Sequence, residues 1–170
     1  WNDIDIAKNP DALRDVLGRR PTLSEFYRSG SSVQAMRQQA GQWFALVRTM
    51  GDLADLESAV AERFQALLRE VEVTAMTKSF KMVLLEALLE LDGLGQPVPL
   101  DALAQQSRGV LERRRPLLAD LPAEVRTIAA TDAAWARYWR DNPIRAWTGG
   151  NRPPGTAAPF KLEGPTLKLA

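Results

Sequence analysis

The chain contains neither cysteine nor histidine. Without cysteine there is no disulfide framework, no thiolate nucleophile and no sulfur ligand for zinc, which fits a reducing cytoplasm. Without histidine the commonest general base, the commonest zinc ligand and every Ser-His or Cys-His arrangement are gone. No apolar stretch approaches the roughly 20 residues that span a bilayer, so no membrane partner is expected. Net charge is nearly absent too: 22 Lys and Arg against 21 Asp and Glu leave +1. A chain balanced in this way is not basic throughout, and any electrostatic partner site has to be a local patch. The sequence begins with Trp1 rather than Met, and the expectation is a piece of a longer polypeptide or a processed one.

What is present is ordinary globular material. The 170 residues are 45% apolar and 25% charged, enough for one domain or two small lobes with a real core. The run Met76 to Leu91 is the most apolar and best delimited, and it predicts a central helix. Thr77 or Ser79 offers a capping hydroxyl, and Asp92-Gly93 a residue able to take the left-handed turn at the other end. Phe80, Val83, Leu84, Ala87, Leu88 and Leu91 follow helical spacing. Met82, Leu85 and Leu89 carry apolar surface further round the cylinder, which predicts burial by neighbours on several sides.

Upstream, Pro10-Asp11 opens a short helix to Leu17, and Thr22 with Glu25 forms a capping-box spacing ahead of a helix through Arg28. Apolar positions at intervals of three and four predict helices over about 33–49 and 53–73. These make an N-terminal helical subdomain, residues 1–75. Downstream, the prolines of Leu94-Gly95-Gln96-Pro97-Val98-Pro99-Leu100 suit a short extended link. Asp101 then caps a helix running into Arg113-Arg114-Arg115, and a turn spans Pro116 to Leu121. Thr131-Asp132 caps a last helix that Asn142-Pro143 is expected to stop. Residues 148–155 read as a Gly- and Pro-rich loop. Phe160 to Glu163 and Thr166 to Leu169 alternate apolar and charged about Gly164-Pro165, a two-strand hairpin. The fold class expected is mainly α, a multi-helix domain around a buried central helix with a small C-terminal β-hairpin. Residues 76–170 suit a winged helix decorated by an aromatic insertion, or a plain helical bundle, and the two subdomains could equally form one compact domain.

The strongest charged feature is Arg113-Arg114-Arg115 with Arg108, joined by Lys78 and Lys81 at the start of the central helix. Arginine presents a planar fork that matches phosphate. Ser79 and the amides of that helix N-terminus could assist. The other reading of the same residues is a solvated helix end, where cations offset the helix dipole. Glu86 and Glu90 lie one turn apart, but with no third carboxylate nearby in sequence they read as a solvated edge rather than a metal or acid–base pair. Trp135, Tyr138 and Trp139 have core spacing, with base stacking as the alternative for them and Trp147. The Gly-rich stretches lack the lysine of a phosphate loop.

At Met76-Thr77-Lys78-Ser79-Phe80-Lys81-Met82-Val83-Leu84-Leu85 the sequence resembles a segment beyond the motor core of large bacterial DEAD/DEAH-box helicases of superfamily 2. Arg20-Pro21-Thr22-Leu23 with Phe26-Tyr27, Trp43-Phe44 with Met50-Gly51-Asp52-Leu53, and Asn142-Pro143-Ile144 with Ala146-Trp147 resemble the same region, in consistent order. The resemblance implies an accessory region from the C-terminal part of such an enzyme. Neither a Gly-x-x-x-x-Gly-Lys-Ser/Thr loop nor an Asp-Glu-x-His/Asp stretch is present, so the ATPase, with its ATP and Mg²⁺, would lie upstream and this chain would be non-catalytic with no cofactor of its own. Expected partners are DNA and the upstream helicase core. The DNA-contacting residues expected from charge are Lys78, Ser79, Lys81, Arg108, Arg113, Arg114 and Arg115. The alternative is a structural or protein-interaction module that docks on the helicase core, with the aromatic segment from Trp135 to Trp147 as its contact surface.

Overall fold

A computed structural model describes residues 10–150 and 157–170; the polar stretch 1–9 and most of the expected Gly- and Pro-rich loop lie outside the described residues. The chain divides into two compact units, 1–74 and 75–170.

The first unit is helical: α1 (Pro10–Leu17), α2 (Leu23–Arg28), α3 (Val33–Ala40), α4 (Trp43–Thr49), α5 (Asp55–Arg63) and α6 (Gln65–Val73). The capping box at α2 forms as its spacing predicts, the Thr22 hydroxyl accepting from the Glu25 amide and the Glu25 carboxylate from the Thr22 amide. Arg19 adds a paired contact to the same carboxylate and, with the Thr22 groups, holds it at about 2. The two long helices expected here are each broken. Gly41 takes φ +79°, a left-handed conformation that ends α3, and Phe64 interrupts the second between α5 and α6. A broken helix lets Phe26, Met36, Trp43 and Val47 close on Leu13 as one core, with the Phe26 and Trp43 rings 5.4 Å apart. Glu72 of α6, its side chain 6% exposed, accepts from the Arg37 guanidinium at 2.9 Å and from the Trp43 amide at 2.8 Å. One carboxylate thus ties three helices together.

The second unit comprises α7 (Phe80–Glu90), β1 (Val98–Pro99), α8 (Leu100–Arg113), a 3₁₀ segment (Arg115–Asp120), α9 (Ala123–Arg126), α10 (Ala133–Trp139), a π-helical turn (Arg140–Ile144), α11 (Arg145–Trp147), β2 (Phe160–Glu163) and β3 (Thr166–Leu169). The helix begins at Phe80 rather than near Met76, and of its predicted stripe Phe80, Val83, Leu84, Ala87 and Leu88 are buried while Leu91, at the C-cap, is only half-buried. Burial does not extend all round, however, since Leu89 is 64% exposed. Asp92 itself takes the left-handed turn at φ 54°, while the Gly93 amide donates to the Leu88 carbonyl at 2.7 Å. Gly93 is needed for another reason: a Cβ there would lie 2.6 Å from the Leu88 and Val98 side chains.

The predicted hairpin forms with the expected boundaries, and the extended link joins it as a third antiparallel strand, in order β1-β3-β2 with Val98 opposite Leu167. In this unit a helix, a short strand, a second helix and further helical segments precede the hairpin, and the short strand pairs with the hairpin's last strand. The aromatic segment, which lies between these helices and the hairpin, belongs to the core of the unit. α10 packs on α8, the π-helical turn packs on α7, and Trp135, Trp139 and Trp147 are fully buried. Proline does not stop this helix. The wider π turn admits Pro143, the Arg145 amide donates back to the Arg140 carbonyl, and the Asn142 side-chain amide donates to the Tyr138 carbonyl at 2.7 Å.

Candidate nucleic-acid interface

Charge separates the units more sharply than the total of +1 implies. Residues 75–170 hold thirteen Lys and Arg against ten Asp and Glu, and residues 1–74 hold nine against eleven. The excess of cations therefore belongs to the unit that carries the sheet.

Within it the expected basic residues separate into groups. Arg113 and Arg114 lie at the end of α8 against α7, where Arg113 pairs with Glu90 and Arg114 grips Glu86 with two nitrogens at 3.0 and 3.1 Å. Gln106 also donates to Glu90, and the Gln106 amide with the Arg113 guanidinium holds that carboxyl below the usual range. Glu86 and Glu90 are thus the partners of the arginine run. Arg108 is a structural residue: its side chain is 11% exposed, it bonds Glu112 at 3.0 Å and the Arg126 carbonyl at 2.6 Å, and it lies over the Trp135 ring. Arg115 is exposed, with no side-chain partner among the described residues.

Lys78, Ser79 and Lys81 meet at the start of α7. The Ser79 amide is already occupied, donating to the Asp120 carboxylate at 2.7 Å, and the Ser79 hydroxyl lies near the same carboxylate outside hydrogen-bond geometry. That hydroxyl, the amide and the Lys78 charge hold the Asp120 pKa below its ordinary value. Ser79 is therefore committed to Asp120. The Lys78 ammonium stands over the Phe80 ring at 5.2 Å and that of Lys81 over the Trp147 ring at 5.6 Å. Lys81 also donates to the Ala75 carbonyl.

These two lysines line an open cleft of about 360 Å³ between residues 75–81 and the turn 141–146. Its far wall carries Arg145, with Asp141 and Asn142 beside it. Arg145 was not among the residues expected from the sequence. It comes opposite Lys81 because the chain continues through Pro143 and because Trp147, 66 positions from Lys81, donates its indole N–H to the Lys81 carbonyl at 3.1 Å. No spacing rule in the sequence signals that pairing. Gly150 lies against the Arg145 stem, since a Cβ there would fall 2.2 Å from Arg145 Cγ. The arrangement is chemically a cationic cleft with one acidic residue, Asp141, which is itself 3.7 Å from Arg140.

No helix among the described residues is long and apolar enough to cross a membrane. No known protein family, curated protein or solved structure matches the chain.

Proposed function

We propose that this chain is a non-catalytic accessory module of a cytoplasmic ATP-dependent DNA helicase, and that residues 75–170 contact DNA. The observation that carries the DNA reading is the convergence of Lys78, Lys81 and Arg145 on one open cleft in the unit with excess positive charge. The strand order β1-β3-β2 after a helix pair is compatible with the winged helix expected from the sequence, a scaffold that presents cationic surfaces to nucleic acid. The helicase parentage rests on the resemblance at residues 76–85 and its companion segments, with ATP and Mg²⁺ assigned to the upstream core. Of the residues expected from the sequence, Lys78 and Arg115 keep the charge and exposure the role needs, and half-buried Lys81, already bonded to the Ala75 carbonyl, lines the cleft. Arg113 and Arg114 contribute less, being neutralised by Glu90 and Glu86.

Docking on the helicase core is the second reading, and the aromatic segment no longer serves it because its tryptophans are buried. It is favoured instead by α5, which exposes Leu56 by 77% and Val60 one turn on. The two readings concern different units and are compatible.

The test is fluorescence anisotropy of labelled single-stranded, duplex and forked DNA with the whole chain across a salt series. Affinity should fall linearly on logarithmic axes as salt rises. Absence of binding at low salt would discard the DNA reading and leave docking.

A further inference from the structure

We infer that the Lys78, Lys81 and Arg145 cleft takes a backbone phosphate of single-stranded DNA in preference to duplex, an inference that rests on the nucleic-acid reading above. The cations come from two chain segments that face each other across a concavity, rather than from one convex helix surface. A duplex is a stiff rod that keeps its phosphates on its outside, and it meets convex or flat cationic surfaces more readily than the floor of a cleft. A single strand bends at every phosphodiester and can lower one phosphate between the two walls. The volume, about 360 Å³, lies in the range of small-ligand sites and suits one nucleotide unit rather than a double helix.

The donors are held in place before any ligand arrives. Lys78 and Lys81 rest on ring faces of buried residues, and the Arg145 stem lies against Gly150. Preset donors lose little side-chain entropy on binding. Met76, half exposed on the same cleft, offers an apolar contact for the sugar or base attached to the bound phosphate. The two interactions are chemically separable: charge for the phosphate, apolar surface for the nucleoside.

The experiment compares a labelled oligothymidylate with a duplex of equal length, using the whole chain, Arg145→Gln and Met76→Ala. Wild type should bind the single strand more tightly. Arg145→Gln should flatten the slope of log affinity against log salt on the single strand by about 0.7, with a several-fold loss of affinity, and leave duplex binding nearly unchanged. Met76→Ala should weaken single-strand binding at an unaltered slope. Arg145 and Met76 are exposed, and unchanged circular dichroism melts will establish that both variants are folded. Duplex bound as tightly as single strand, or an Arg145→Gln slope equal to wild type, overturns the cleft assignment while the DNA reading stands. Displacement of the strand by inorganic phosphate beyond that by chloride at equal ionic strength reassigns the cleft to free phosphate. Failure of wild type to bind either DNA at low salt overturns both readings together.

Discussion

The Asp120 carboxylate accepts a 2.7 Å hydrogen bond from the Ser79 amide, 41 positions earlier in the chain. It takes the part that a glutamate three residues into the helix plays in a local capping box, but from the end of a 3₁₀ segment. Ser79, the nearest hydroxyl, makes no cap of its own. The start of the central helix is therefore stabilised by tertiary structure, and Lys78 is held beside a carboxylate at the mouth of the cationic cleft.

Asp120→Ala should lower the stability of the chain by about 1 kcal/mol, the usual cost of a lost helix cap, read as a lower denaturant midpoint at unchanged slope. The pH dependence has a definite sign. The folded-state pKa of Asp120 lies below its ordinary 3.8, so its contribution is complete above that value and is lost as pH falls through the lower folded value. Wild type and Asp120→Ala should differ at neutral pH and converge in acid. A difference that persists below the folded pKa would contradict the assignment.

Glu86→Gln removes the partner of Arg114 and leaves its guanidinium for solvent or phosphate. Stability should change by less than about 1 kcal/mol, since the pair is solvent-exposed. Affinity for DNA should rise and its salt dependence steepen. Anisotropy of the variant beside wild type measures both, and weaker binding would place Arg114 away from the DNA path.

Gly150→Ala inserts a methyl group where the Arg145 stem runs. The stem must move, so DNA affinity should fall toward that of Arg145→Gln while the thermal midpoint changes little. Unaltered affinity would mean that the resting position of Arg145 has no part in binding.

Local signals carried much of the fold. The capping box at Thr22, the stripe of α7 and the alternation about Gly164-Pro165 each depend on residues within one turn or one hairpin, and each forms as expected. Where local signals misled, a distant contact had changed the balance. Asn142-Pro143 reads as a helix stop, yet the π turn passes through it because Trp139, Ile144 and Trp147 are all buried on either side. The run 33–49 reads as one helix, yet Gly41 breaks it and α3 and α4 fold onto a shared core.

The candidate site was legible only in part for the same reason. Lys78 and Lys81 were visible as cations at a helix start, whereas the pairing of Arg113 and Arg114 was not, because Glu86 and Glu90 come opposite them only when α7 packs on α8. Composition alone determined that the chain has no thiol or imidazole chemistry and that its charge must act as a patch. Periodicity alone determined a helical fold with a terminal hairpin. Tertiary structure decided which cations are neutralised and which remain, and it brought Arg145 to Lys81. Periodicity reports which face of an element is buried; it carries no information on which element, many residues away, will cover that face.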